Sequence, residues 1–552
     1  MKSIFKLLSA AALLLVTGGL VMQACKKPSE GVEVTVNTDI YTSPMLFHFA
    51  NAKSSATNQP GNFTVTITGE DAALVITPEG KKNFQAKAGV LTLMLEKAAA
   101  PSPENPVKFS IIANITGFAP LVQNVTITSD SLYNAEIHAL EYSNAASGTS
   151  ARTYLSNLTN GVLVNAASVS TTTNTTTTET ATISFPAQTK FYGDNGAQIT
   201  SGNLTANLVY FGVTTEESFN AFPGGFEANN IVGEDGKVIS EGARFVTAGF
   251  LSVNMTIGST AVKSFSSPLT VQMEVNAELE NPETEAKVKA GDVIPIWSLD
   301  EKTGQWKFES NATIVTKNGK LIMEYQMGHL SSWNADWYYY SGSKNACNTS
   351  VKINATSPGG SFYGSLYLTT PSGQKLLGGS AYISQSITLN TPKVTLPRRV
   401  KAVAYNQFGQ KVAESAVFNP CSGNTISITV PANAVPLYAT VNLDVKARCR
   451  NKNISANVTN SAAVYIWNGA SFVYYTSAFL TNGRGGISLE NDKRYRIDAY
   501  YNGQTYSSEI TLNSSNFTFS ASGGNATLTG SATYNSDTRT YNAVAEIAIN
   551  CD

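Results

Sequence analysis

Charge is what this sequence has least of. Only 14% of its 552 residues are Asp, Glu, Lys or Arg, and the formal net charge is -1, against roughly 25% charged residues in an average soluble protein. Nucleic acid is held mainly by Lys and Arg on phosphate, so no nucleic-acid partner is expected. Histidine is nearly absent too. His48, His138 and His329 fall in different predicted segments, and none belongs to an H-E-x-x-H pair. The chain has no G-x-S-x-G, no phosphate-binding loop and no dinucleotide fingerprint. Cysteines are few, and no two are spaced C-x-x-C. Intervals of 74, 28 and 102 residues between Cys347, Cys421, Cys449 and Cys551 are too wide for a compact zinc site. These absences predict a chain that is not an enzyme and carries no metal and no cofactor. The acidic clusters agree: Asp300-Glu301, Asp194-Asn195-Gly196 and Gly233-Glu234-Asp235-Gly236 read as turn chemistry, in preference to a carboxylate pair or calcium ligands.

What fills the chain instead is Ser, Thr, Asn and Gly among alternating apolar residues, 42% of the total being hydrophobic. Thr suits a pleated strand, while Asn, Gly and Ser suit turns, so the fold class expected is all-β, with several sandwich domains in tandem. The length exceeds what one core can organise and suggests three or four domains. Four of the five tryptophans lie between Gly291 and Tyr340. There Val293, Pro295, Trp297 and Leu299 share one face, Trp306 and Phe308 another, and Leu321, Met323, Tyr325 and Met327 a third. Asp300 to Gly304 and Asn318-Gly319 supply the turns of a β-meander.

The N-terminus carries targeting information. Lys2 and Lys6 precede an apolar run from Leu7 to Met22, too short for a membrane span. Met22-Gln23-Ala24-Cys25 resembles the lipobox of bacterial lipoproteins, although Met22 and Gln23 depart from the usual pattern. The resemblance implies a signal peptide over residues 1–24, lipid attachment at Cys25 and a tether over 25–30. A multi-acyl anchor attaches stably to membrane. No aspartate follows Cys25. By resemblance to Gram-negative lipoproteins, that implies the outer membrane, with the periplasmic and exterior faces both open.

Residues 31–140 are expected to form an N-terminal sandwich. Its stretch through Phe109–Ala113, Gly117-Phe118-Ala119-Pro120 and Val125-Thr126-Ile127 resembles carboxypeptidase-regulatory-like and Ig-like modules of bacterial surface proteins. The run SVSTTTNTTTTETAT, Ser168 to Thr182, reads as a flexible tether more than as a solvated edge strand, so 141–182 is taken as linker. A central Trp-rich domain spans 183–342. Over 291–336 the line GDxIPxWxxDExTGxWxxE, followed by GHxSxWNxD, resembles a domain of bacterial surface proteins and animal cartilage intermediate layer proteins. That likeness implies an extracellular β-module and brings no catalytic residue with it.

Residues 343–440 and 441–552 read as a diverged repeat, with Tyr367 matching Tyr465 and Tyr405 matching Tyr501. Each unit opens with a cysteine. Four cysteines in an oxidising compartment are disulfide candidates, and the simplest pairing is Cys347 with Cys421 and Cys449 with Cys551. Strand alternation sends Trp333, Ala335, Trp337 and Tyr339 to one face and Tyr338 and Tyr340 to the other. The expectation is that those two tyrosines pack at the joint with the 343–440 module. The rival is a sugar-stacking platform. His329 is expected to bond near Ser331 and Asp336, and Asp130-Ser131-Leu132 resembles an O-glycosylation site of some Gram-negative periplasms. Function is read as non-catalytic binding, scaffolding or adhesion. Besides the membrane, the expected partner is a surface protein or a glycan, and the alternative is a glycan-binding lipoprotein of a polysaccharide uptake system.

Overall fold

The computed structural model describes residues 34–36 and 41–550, apart from 79, 223, 229–230, 240–242, 301–302, 344–345, 384–385, 392–393, 407–408, 435–436, 502–503 and 524–525. Cys25, the apolar run before it, Glu301 and Cys551 lie outside the described residues. Among the described residues no helix is long and apolar enough to cross a membrane. The fold is all-β, with many separate sheets stacked as tandem sandwiches. It falls into two compact units. One runs up to Tyr438; the other comprises 439 onward together with Val34–Val36.

In the larger unit, the N-terminal sandwich has two four-stranded sheets. Tyr41–Asn51 pairs with Val90–Glu96 and, in parallel, with Tyr133–Ala139; Val107–Ala113 lies between Phe63–Thr68 and Leu121–Ile127. Phe47, Phe49, Leu91, Leu93, Phe109, Ile111, Val125 and Ile137 fill the space between. Their two-residue spacing is the reason these segments are strands: each puts its apolar set on one side of the pleat.

The central sandwich is built on a ten-stranded sheet. It runs Thr149–Asn157, Asn203–Phe211, Ala243–Ile257, Ser332–Tyr339, Val293–Asp300 and Gln305–Thr313 before two short strands. Facing it is a sheet organised around Ser264–Val275 and Lys320–His329. The turns form where the sequence asks for them. Asn318 and Gly319 both take positive φ between Lys317 and Lys320, and Gly304 N–H donates to Asp300 O at 2.8 Å. Gly304 is also tightly placed, since a Cβ there would stand 2.8 Å from Ser110 Oγ of the N-terminal sandwich.

Both faces of this large sheet are covered. Trp333, Ala335, Trp337 and Tyr339 belong to the sandwich core, which continues without a break into Val351, Ile353, Leu366, Leu396 and Val400 of the following module. On the reverse, Trp297, Trp306, Phe245 and Phe250 pack with Ala52, Ala119, Val122 and Leu140 of the N-terminal sandwich. Two-sided burial explains why Ala243–Ile257 and Ser332–Tyr339 read as nearly continuous buried strands. Gln374, itself buried, clasps the sheet: its Nε2 donates to Phe245 O at 2.6 Å and its Oε1 accepts from Thr247 N at 3.1 Å.

The Thr-rich run is not a tether. Ala167–Ser170 and Ala181–Phe185 pair with each other, and the second pairs with Ser264–Val275. Thr171 and Thr177 are buried, with Thr171 Oγ1 accepting from Ser150 Oγ at 2.9 Å and from Ala181 N at 3.1 Å. Threonine is a strand former, and here its hydroxyls bond across to neighbouring strands, so both ends of the run join a sheet and the stretch between them is held in place without apolar periodicity.

The repeat is visible as matching topology. Lys375–Ile383, Phe362–Thr369, Lys401–Asn406 and Lys411–Glu414 form a sheet in that order; Phe472–Leu480, Asn460–Trp467, Lys493–Tyr501 and Gln504–Leu512 form its counterpart. An early strand of each module also pairs in parallel with a late one, Lys352–Thr356 with Thr425–Thr429 and Tyr438–Cys449 with Thr540–Ile549. The last module adds a hairpin strand pair, Phe517–Gly523 and Ala526–Asn535. Val34–Val36 pairs in parallel with Ile454–Asn457 of this last module, so the strand assigned by sequence to the N-terminal sandwich belongs to the other end of the chain.

Candidate functional site

Cys347 and Cys421 form a disulfide that joins the entries to two parallel neighbours. Cys449 is also disulfide-bonded. It ends its strand level with Ile549, two positions before Cys551. Cys347 lies in the short strand Ala346–Thr349, paired with Val394–Pro397 and ahead of Lys352–Thr356, whereas Cys449 ends Tyr438–Cys449. They are not equivalent openings, because the repeat's first strand begins well before Cys449.

Tyr338 and Tyr340 are half-buried and stacked, with centroids 5.6 Å apart and rings 4° from parallel; Tyr338 stands edge-on to Trp297 at 4.8 Å. They lie on the face shared with the N-terminal sandwich, not on the one that continues into the 343–440 module. Tyr339 takes that second position. The alternation was right, but the covers of the two faces could not be read from it. His329 departs likewise from its expected partners. Its Nε2 lies 3.4 Å from Glu309 Oε1 and its ring packs on Trp333 at 5.2 Å.

The strongly perturbed carboxyls are structural. Burial pushes Asp336 well above the usual carboxylate range, opposed by Thr247 and Asn334, and the residue is sealed from solvent. Burial would also raise Glu309. Contacts with His329, with Ser298 Oγ at 2.9 Å and with Lys307 Nζ at 3.1 Å outweigh it and hold the carboxyl at about 2. His48 and His138 meet, which sequence reading missed. His48 Nδ1 lies 3.5 Å and His138 Nε2 3.3 Å from the two oxygens of Glu136. A parallel register between Tyr41–Asn51 and Tyr133–Ala139 brings them together, and no local pattern announces such a pairing. Among the described residues no group of His, Cys, Asp or Glu is arranged to hold a metal ion.

The surface with ligand-binding chemistry is on the last module. One face of the Asn460–Trp467 sheet carries Val464, Ile466, Tyr495, Ile510 and Leu512 into the core. The other carries two cross-strand rows. Tyr474, Tyr465, Arg496 and Glu509 stand side by side, as do Phe472 and Trp467, with Arg494 lying over both of those rings. Tyr465 and Tyr474 meet edge-on at 5.9 Å, Trp467 and Phe472 at 5.1 Å. The Arg494 guanidinium is 5.3 Å from each ring of its pair, and Arg496 is 4.5 Å from Tyr465 and 5.4 Å from Phe472. Both arginines are neutralised in place, Arg494 by Glu509 and Arg496 by Asp498 at 3.1 Å. The signal was present in the sequence as Tyr465-Ile466-Trp467, Phe472-Val473-Tyr474 and Arg494-Tyr495-Arg496, three alternating triplets.

No family model matches the chain, and no curated protein matches it. Among solved structures, the Bacillus anthracis TIE protein is similar at 8% identity, covering 66% of this chain and 73% of that one, with a TM-score of 0.13. The native conformation of E. coli alpha-2-macroglobulin is similar at 9% identity over 92% of this chain and 43% of that one, with a TM-score of 0.10. At those TM-scores neither superposition establishes a shared fold.

Proposed function

We propose that this chain is a non-catalytic binding protein, held to the outer membrane through lipidated Cys25, whose recognition surface is the aromatic–arginine face of the last module. The observation that carries the reading is that face. Four rings and two guanidiniums are ordered on one side of a sheet whose other side already supplies the core. Aromatic and Arg side chains are what binding surfaces enrich, because they present large rigid area with polar edges. The perturbed carboxyls support the non-catalytic half of the reading: Asp336 has no access to a substrate and Glu309 is locked in an ion-pair cluster. The lipobox-like Met22-Gln23-Ala24-Cys25 supports the anchor. Mass spectrometry of the mature N-terminus from a Gram-negative host tests the anchor. Acylated Cys25 is expected, with Cys25→Ala accumulating as precursor; an unmodified Cys25 inside an intact N-terminus would remove it.

A further inference from the structure

We infer that the aromatic–arginine face takes a neutral polysaccharide chain, with Trp467 and Phe472 as stacking rings and Arg494, Arg496 and Glu509 as hydrogen-bonding neighbours. The inference rests on the binding reading above and names its ligand class.

Charge decides against a polyanion. Each arginine already has its carboxylate, so the face offers two cations and two anions and no net attraction for phosphate, sulfate or uronate. The rings alone offer less area than a protein partner covers. An aromatic side chain presents about 150–250 Å². Trp467 is 36% exposed and the other three rings are half-buried, so the four together leave roughly 300 Å² or less for a partner. A standard protein interface takes about 800 Å² from each side.

A sugar ring fits what remains. Its C–H face is apolar and weakly positive, suited to the negative face of an aromatic ring, while its equatorial hydroxyls need donors and acceptors beside that ring. Arg494 and Glu509 flank the rows with both. Successive rows are two residues apart along each strand, about 7 Å, so one row follows another along a chain ligand. The guanidiniums stacked on the rings hold the aromatic rotamers before any ligand arrives, which lowers the entropy lost on binding.

The test is affinity electrophoresis of the full chain in gels containing amylopectin, laminarin, galactomannan or xyloglucan, with heparin as the polyanion. At least one neutral polysaccharide should retard the protein. Trp467→Ala and Phe472→Ala should each weaken that retardation at least tenfold without moving the melting temperature, Trp467→Tyr should restore most of it, and Tyr340→Ala should leave it unchanged. Retention by none of the four, or equal retention of the Trp467→Ala protein, overturns the inference. So does retention by heparin alone. If no glycan binds but a purified protein partner or self-association is lost in Trp467→Ala, the ligand class is wrong and the binding reading stands. If Trp467→Ala changes neither, both fall.

Discussion

Four tryptophans sit in the meander and one in the last module, and they do opposite things. Trp297, Trp306, Trp333 and Trp337 are 0–1% exposed, while Trp467 is 36% exposed. All five lie on strands with alternating aromatic neighbours, so composition does not separate them. The difference is the number of covers. The meander's sheet is packed on one face by its own sandwich and the 343–440 module, and on the other by the N-terminal sandwich. The last module's Trp467 sheet buries one face, and the other keeps its rings between arginines. Aromatic density marks a core where both faces of a sheet are packed, and a partly exposed surface where one face supplies the core.

The sharpest way to break this comparison is to truncate one ring from each side. Trp297→Ala removes a fully buried indole whose Nε1 donates to Asp336 O at 3.1 Å, and should cost about 3–5 kcal/mol in chemical denaturation. Trp467→Ala should stay within about 1 kcal/mol, as surface changes do. Equal losses would show that Trp467 is a core residue.

The cover can be loosened without touching a ring. Gln374→Ala leaves Phe245 O and Thr247 N buried without their partner, an expected loss of about 1–3 kcal/mol. A neutral result would mean that the clasp does not seal the sheet.

Asp336 reports on the same seal through pH. Its folded carboxyl keeps its proton to higher pH than the unfolded one, so stability is highest below the unfolded value of about 3.9 and declines as pH rises toward the folded value. Asp336→Asn should flatten that decline in a melting-temperature series, and an unchanged slope would place the pH dependence elsewhere. Glu309 gives the smallest and opposite effect. Its folded carboxyl, at about 2, lies below the unfolded value of about 4.3, so its contribution is present above pH 4.3 and lost toward pH 2. Glu309→Gln should reduce the acid-side loss, whereas a steeper loss would exclude the His329, Ser298 and Lys307 cluster as its source.

Local chemistry alone determined much of this protein. Alternation announced an all-β chain, and Asn318-Gly319 and the Asp300 to Gly304 segment marked their turns. Each depends on backbone preferences that act within a few residues. Only the tertiary structure decided what alternation leaves open. It drew the two ends of the Thr-rich run into a sheet, carried Val34–Val36 to the far end of the chain, set His48 beside Glu136 and turned Tyr338 and Tyr340 toward the N-terminal sandwich. A strand's pattern says which residues share a face. What covers that face is chosen by contacts hundreds of residues away, and that choice separated the four structural tryptophans from the one left at the surface.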